Sequence, residues 1–259
     1  MAAPEVTDVG YLIHRRRLRE TSFILQFFTR DHGRVSLVAR GLVSTRRPAP
    51  ALNEFAPYHL VWQGRGDLPA LRRHEAAGRP TLLQGERVFS GLYVNELVAR
   101  LLEREDSAPE VWGAYESVLA ELGNAAPIEA ALRRFEVALL DACGYGLVLD
   151  YRADTGEPVQ AGHRYAYVPE RGPVGGTPTV PHRDVAGATL RALAGEEDWT
   201  PECLADAKRL MRFLLQQYLG GRPLTSRSLF AVGGAQTADS DAPPSMRAAR
   251  DSSPNAEDA

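Results

Sequence analysis

Arginines cluster in the first fifty residues, and their chemistry is that of an anion-binding surface. Four lie between positions 15 and 19, single arginines at 34 and 40, and an adjacent pair at 46 and 47. A guanidinium group can donate two hydrogen bonds to one phosphate, and several in a groove neutralise a nucleic-acid backbone without reading its sequence. The arginines predicted to contact phosphate are Arg16, Arg34, Arg40, Arg46 and Arg47. The alternative is that these charges only solvate turns.

Segregation of charge along the chain favours the anion-binding interpretation. Residues 1–80 hold 13 basic and 7 acidic residues, residues 81–234 hold 15 and 21, and residues 235–259 hold 2 and 5. The net charge of −3 hides this asymmetry. Because Lys208 is the only lysine and arginine bias can reflect a GC-rich genome, the clustering carries the argument. One end of the molecule is predicted to meet an anion.

Motifs of catalysis are missing from the sequence. It has no Walker phosphate loop, dinucleotide-binding glycine fingerprint, HExxH pair or GxSxG elbow. Its six histidines are scattered, and Cys143 and Cys203 lack metal-site spacing. We therefore expect a protein that is not an enzyme, with no metal site, no cofactor and no small-molecule substrate. No export signal or long apolar run occurs, so we also expect a cytoplasmic, nucleoid-associated protein without membrane contact.

The elements that must position the arginines begin with short β-strands. Runs rich in β-branched and aromatic residues occur at 9–13, 22–28, 35–39, 58–62 and 68–71. A tight turn at Asp31-His32-Gly33 joins the second run to the third, with Gly33 available for positive φ. Five short strands in about seventy residues predict a small closed barrel of the OB type. Arginines at strand ends and in loops could then line a groove.

Helical periodicity replaces the strand pattern after residue 82. One long amphipathic helix follows, then a second that begins at a capping-box spacing from Ser107 and ends near Gly123. Pro127 opens a third helix that stops at Gly144, and Thr200 caps a last strong helix that ends at Gly220 and Gly221.

These patterns predict an α+β multidomain protein, in which an N-terminal OB-type β-barrel precedes an all-α domain with a small irregular insertion. The predicted boundaries are 1–80 for the barrel, 81–143 and 183–234 for the helical domain, and 144–182 for the insertion. The insertion is expected to hold one small hairpin around Arg164–Val168, with helical structure resuming near Asp184. Residues 235–259 lack apolar bulk and are predicted to be a disordered tail.

Four ordered segments resemble the RecO family of recombination mediator proteins. They are residues 14–37 with the run Thr-Arg-Asp-His-Gly-Arg-Val, residues 89–97 (Phe-Ser-Gly-Leu-Tyr-Val-Asn-Glu-Leu), residues 131–136 leading into Gly-Tyr-Gly at 144–146, and residues 218–230 with Leu-Gly-Gly-Arg-Pro-Leu-Thr-Ser-Arg. The resemblance covers residues 9–230. One departure is visible: some family members carry a four-cysteine zinc site after Gly-Tyr-Gly, and residues 154–157 contain no cysteine. The resemblance therefore implies a zinc-free insertion, held by packing alone.

The resemblance also implies a function and partners. Members of this family bind single- and double-stranded DNA, anneal complementary strands and contact the C-terminal tail of single-stranded-DNA-binding protein. Together with RecR they help load RecA onto coated strands. From the residues alone, Arg222 and Arg227 either extend the DNA contact from the far end of the chain or only cap the last helix.

The third helix carries the predicted site for that acidic tail. Arg133 and Arg134 adjoin an apolar stripe that includes Leu132 and Phe135. An exposed arginine beside an apolar groove suits a peptide that ends in an apolar residue with a free carboxylate. Arg133 is predicted to bind the carboxylate, with Leu132 and Phe135 in the groove. Alternatively, both arginines pair with Glu129 or Glu136 on the helix surface.

Two other functions remain open from the residues alone. One is a nucleic-acid-modifying enzyme whose OB-type domain holds RNA while the helical part does chemistry. The other is a pure protein-interaction adaptor, which would leave the basic surface unused. A salt-dependent gel shift with single-stranded DNA would separate the adaptor from the two nucleic-acid-binding functions.

Overall fold

The N-terminal part of the chain is a closed five-stranded β-barrel. The structure, a computed structural model, describes residues 4–20, 22–40, 52–64 and 66–226. The barrel strands are β1 (Glu5–Arg19), β2 (Ser22–Thr29), β3 (Gly33–Arg40), β4 (Pro57–Gln63) and β5 (Ala70–Ala76). Their order around the barrel is β1-β2-β3-β5-β4. This is the predicted OB-type barrel.

Alternate side chains along each strand point inward and fill the barrel interior. Leu25 and Phe27 of β2, Leu37 of β3 and Leu60 of β4 point inward and are almost completely buried. The observed bounds of all five strands differ from the predicted ones, and the first and last strands differ most. The first runs on to Arg19, so the arginines expected after it lie within it, and the last strand is shifted to the polar run at 70–76 because only its inward positions need apolar side chains.

Five helices of the described residues form the second part. They are α1 (Glu86–Leu101), α2 (Pro109–Gly123), α3 (Ile128–Ala142), α4 (Gly187–Leu193) and α5 (Pro201–Tyr218). The Thr200 side chain accepts a hydrogen bond from the Cys203 amide at 3.2 Å, as expected of a cap. The capping box at Ser107 is wrong: α2 is capped by Ala108 without a side-chain hydrogen bond, and its proline at the first helical position supplies the start signal.

The segment between α3 and α4 is more ordered than the sequence pattern indicates. It contains the predicted strand β6 (Arg164–Val168), flanked by β7 (Gly172–Val174) and β8 (Arg183–Ala186) in a three-stranded sheet of order β7-β6-β8. The expected return to helix near Asp184 is therefore wrong, because that residue lies in β8 and α4 begins at Gly187.

An arginine-centred cluster closes the loop that precedes this sheet. Arg152 donates two hydrogen bonds to Asp154, at 3.1 and 2.9 Å, and a third to Glu157 at 2.9 Å. Asp154 also accepts a hydrogen bond from the Gly175 amide at 3.1 Å, which ties the loop to the end of β7. The expectation that packing alone holds the insertion is therefore wrong, since these charged hydrogen bonds contribute.

Aromatic side chains join the barrel to the helices. Tyr11 of β1 and Phe28 of β2 point out of the barrel and pack against Trp112 and Tyr115 of α2, with ring centroids 5.1–5.5 Å apart. The β2–β3 turn adds a close backbone contact: Gly33 has φ +61°, and a Cβ there would lie 1.8 Å from the Asp106 carbonyl oxygen. Only glycine fits this turn. The aromatic packing and this backbone contact together mean that the helical part covers one face of the barrel.

Residues after α5 return to α1. The Glu96 carboxylate accepts hydrogen bonds from the amides of Thr225 and Ser226, both at 2.8 Å. Arg100 donates to the carbonyl oxygens of Arg222 and Pro223 at 3.1 and 2.8 Å. The described chain thus ends beside the barrel. The tail predicted at 235–259 lies outside the described residues.

Candidate nucleic-acid interface and peptide cleft

The outer face of β1, β2 and β3 brings two of the predicted phosphate contacts together. Arg16 lies opposite Ile24 and Arg40 opposite Ser22, and both Ile24 and Ser22 are outward positions of β2. Directly opposed residues of antiparallel strands share a face, so Arg16 and Arg40 flank β2 on the same side of the sheet. Both side chains are exposed, and neither forms an ion pair with any described residue.

A groove of about 550 Å³ runs beside Arg16, between the barrel and α1. His14 and Gln26 line it from the barrel, and Arg100 and Ser226 line it from the helical part. A β-bulge between Leu12 and His14 shifts the phase of β1, so that His14 and Arg16 face outward after Leu12 has faced the core. The groove adds polar donors to the exposed arginine surface.

Arg34 lies elsewhere and has an internal partner. Its Nε donates to the Leu102 carbonyl oxygen at 3.1 Å, and its own carbonyl accepts from the Glu105 amide at 3.0 Å. Half-burial, with a smaller effect from the neighbouring Arg104, lowers the pKa of the Arg34 guanidinium. In the structure Arg34 links the barrel to the α1–α2 loop, away from the pair Arg16 and Arg40.

Four other arginines were predicted to contact DNA: Arg46, Arg47, Arg222 and Arg227. Arg46, Arg47 and Arg227 lie outside the described residues. Arg222 is exposed at the end of α5, where its carbonyl bonds to Arg100.

Two further arginines were not among the predicted contacts. Arg15 and Arg17 are exposed on β1 and lie opposite Leu25 and Phe23, so they face the other side of the sheet from Arg16. The sequence could have indicated both residues, because side chains in a strand alternate between its two faces and consecutive arginines must therefore occupy both.

The helical part contains a separate cleft of about 600 Å³ between α1, α3 and α5. Arg133 of α3 lies in its wall, together with Leu132 and Tyr93. Lys208 and Arg212, one turn apart on α5, line the opposite side and are exposed. The lining thus mixes three basic residues with three acidic ones, Glu86, Glu129 and Glu136, around the apolar side chains of Ile128 and Leu132.

Arg133 is buried, contrary to the exposed position that the sequence indicates. Only 6% of it is accessible to solvent. Its Nη2 donates to Glu136 Oε1 at 2.6 Å, and the Tyr93 hydroxyl donates to the same oxygen at 2.6 Å. The Nε of Arg133 has no hydrogen-bond partner among the described residues. A buried donor without a partner carries a desolvation cost.

The neighbours of Arg133 divide between cleft, core and surface. Leu132 lines the cleft as predicted for the groove. Phe135 does not: it is 1% exposed and packs in the core of the helical part, because it lies on the inner side of α3. Arg134 points away from the cleft and forms an ion pair with Glu121. Arg133 thus pairs with Glu136, as in the alternative, but in the interior rather than on the helix surface, and it also lines the cleft.

No helix in the ranges that the structure describes is long and apolar enough to span a membrane. Within those same ranges, no group of three or more His, Cys, Asp or Glu side chains is placed to hold a metal ion.

The fold and the surface together define a class: an OB-type barrel with a basic outer face, packed through aromatic side chains against a helical domain that carries its own cleft. Comparison with known families agrees with this division. The model of the Recombination protein O N-terminal family matches residues 1–79, and that of the Recombination protein O C-terminal family matches residues 82–228. The chain belongs to the RecO family of DNA repair proteins.

Curated relatives extend over nearly the same span. The chain is 43% identical over 225 residues to the DNA repair protein RecO of Methylococcus capsulatus. The matched residues cover 86% of this chain and 92% of the relative. It is 41% identical over 229 residues to RecO of Marinobacter nauticus, covering 86% and 93%. RecO of Pseudomonas aeruginosa is 44% identical over 222 residues, covering 85% and 92%. The family resemblance seen in the sequence is confirmed.

Proposed function

We propose that this protein is a non-enzymatic recombination mediator that binds single- and double-stranded DNA on the outer face of β1–β3 and anneals complementary strands. The observation that supports this most directly is the exposed pair Arg16 and Arg40, which flank β2 without an acidic partner among the described residues. Annealing requires no nucleophile. It requires a surface that neutralises phosphates and leaves the bases free to pair.

The test is an annealing assay with two complementary labelled strands and no nucleotide cofactor. The wild-type protein should accelerate pairing, and the Arg16→Ala/Arg40→Ala variant should accelerate it less. A matched control is Arg73→Ala/Arg79→Ala, which removes two exposed charges from β5 and the segment after it. A wild-type protein that leaves the annealing rate unchanged would overturn the proposal.

The proposal includes a partner for the cleft. An acidic peptide that ends in an apolar residue, such as the tail of single-stranded-DNA-binding protein, fits an opening with Arg133 in its wall and Lys208 and Arg212 at its rim. The peptide carboxylate would accept a hydrogen bond from the unpartnered Arg133 Nε. With RecR, the protein would then help to load RecA onto coated strands.

Because Arg133 and Glu136 are a buried ion pair, the cleft is best tested with a variant that changes both residues. Arg133→Ala alone would leave the buried Glu136 carboxylate without its cation, and such a loss can cost about 3–5 kcal/mol of stability. The double variant Arg133→Met/Glu136→Gln removes both charges together, and the amide oxygen of the new glutamine keeps an acceptor for the Tyr93 hydroxyl. It should bind a labelled tail peptide about tenfold or more weakly, as expected for a lost hydrogen bond to a charged group worth about 1.5–3 kcal/mol.

Arg134→Ala is the matched control for the cleft. It removes the adjacent arginine, whose partner Glu121 lies away from the cleft, and should leave peptide affinity unchanged. Equal affinity of the peptide for the wild type and the double variant would exclude Arg133 from the site.

A further inference from the structure

The β1–β2 hairpin carries arginines on both of its faces. Arg16 shares the outer face with Arg40, whereas Arg15 and Arg17 lie opposite Leu25 and Phe23, whose side chains point toward the barrel interior. Arg15 and Arg17 are nevertheless exposed, because they stand where β1 has passed its last pairing with β4, Tyr11 with Pro57. From His14 onward, β2 is the only strand of the described residues that pairs with β1.

The inner-face pair has the features of a phosphate-binding edge. Arg15 and Arg17 are two residues apart in a strand, which separates their Cα atoms by about 6.6–6.8 Å. Neither has an acidic partner among the described residues, and the one hydrogen bond from Arg17 goes to the Glu20 carbonyl oxygen at 3.0 Å. Phe23 lies opposite Arg17 on β2 and is half-buried against the barrel core.

We propose that the inner face of the hairpin, with Arg15 and Arg17, binds a second nucleic-acid strand while the outer face, with Arg16 and Arg40, binds the first. This inference rests on the proposed function. Two strands held by one molecule meet at a high effective concentration, so that annealing becomes an intramolecular step. The arginine side chains on the two faces supply positive charge to both backbones, which would otherwise repel each other.

Stoichiometry tests the inference directly. An oligonucleotide of about ten nucleotides, within the site size of an OB fold, and without self-complementarity, is titrated against the full chain, and native mass spectrometry counts strands per chain. The wild type should bind two. Arg15→Ala/Arg17→Ala and Arg16→Ala/Arg40→Ala should each bind one, and each should anneal complementary strands at least about tenfold more slowly. Arg15→Lys/Arg17→Lys keeps the charge and should still bind two.

The outcomes separate this inference from the proposed function. If the wild type binds one strand per chain and both alanine variants weaken that binding alike, one strand contacts both faces and the inference is overturned, while DNA binding stands. If Arg15→Ala/Arg17→Ala still binds two strands, the second site lies elsewhere and the inference is again overturned. If the wild type binds no strand, the proposed function itself fails.

Discussion

Surroundings decide what each arginine of the barrel can do, and Arg16 and Arg34 show the contrast. Both occupy outward strand positions, but Arg16 faces water, whereas Arg34 is half-buried against the α1–α2 loop. We expect Arg34→Ala to lower the free energy of unfolding by about 1–2 kcal/mol, the low end for a hydrogen bond from a charged group because half of the side chain stays in water. Urea denaturation measures this, and Arg16→Ala, which loses no hydrogen bond or ion pair to any described residue, should leave the midpoint unchanged.

Asp154 gives the insertion a defined acid sensitivity. The hydrogen bonds from Arg152 first, and from the Gly175 amide second, lower the pKa of the Asp154 carboxyl to about 2. The pKa of an aspartate in the unfolded chain is about 3.9. The stabilisation is therefore complete above that pH and is lost as pH falls through about 2. The difference in melting temperature between the wild type and Asp154→Asn should shrink over this range. A difference that stays constant down to about pH 2 would contradict the assignment.

At the scale of elements, Glu96 fixes the segment after α5 to α1. Burial raises the pKa of this carboxyl, but hydrogen bonds from Ser226 and Thr225 and the charge of Arg100 outweigh burial, so the pKa is lowered overall. Glu96→Gln keeps the shape and removes the charge. We expect amide hydrogen exchange at Thr225 and Ser226 to become about ten- to a hundredfold faster, as a loss of about 1.5–3 kcal/mol predicts. Unchanged exchange would mean that other contacts hold the segment.

The aromatic contact between β1, β2 and α2 should make the two parts unfold together. Trp112 packs against Tyr11 and Phe28 with ring centroids 5.4 Å apart. We expect Trp112→Ala to cost about 3–5 kcal/mol and to split one thermal transition into two in calorimetry. Phe213→Ala, a half-buried aromatic of α5 away from the barrel contact, is the control and should leave a single transition. One transition in both variants would show that the parts are coupled by other contacts.

Helices with a regular spacing of apolar residues could be predicted from the sequence. Strands that form only because a neighbouring strand pairs with them could not. Apolar spacing gave α3 and α5, and Pro127 and Thr200 marked their starts. The strand β8 could not be predicted, because Arg183-Asp184-Val185-Ala186 is short and mostly polar and becomes a strand only by pairing with β6. The continuation of β1 through four arginines has the same cause, since β2 supplies its hydrogen bonds.

At the scale of the whole molecule, the sequence indicated where charge lies but not which charges are neutralised inside the protein. Segregated arginines predicted a basic barrel, and the outer face of β1–β3 agrees for Arg16 and Arg40. The partner of Arg133 could not be chosen from spacing, because Glu129 and Glu136 are both within helical reach. Burial of Tyr93 and Glu136 at the junction of α1 and α3 selects Glu136. Such a choice depends on tertiary packing.

The salt dependence of binding to single-stranded DNA tests the central claim most directly. Each single-strand phosphate neutralised adds about −0.7 to the slope of log K against log salt. Arg16→Ala/Arg40→Ala should therefore flatten the wild-type slope by about 1.4, and Arg34→Ala should leave it unchanged. Arg46→Ala/Arg47→Ala is expected from the sequence to flatten it as well. Strong, salt-dependent binding that weakens in this pattern is the predicted result. A slope near zero in the wild type, or one that Arg16→Ala/Arg40→Ala leaves unchanged, would contradict DNA binding on this face.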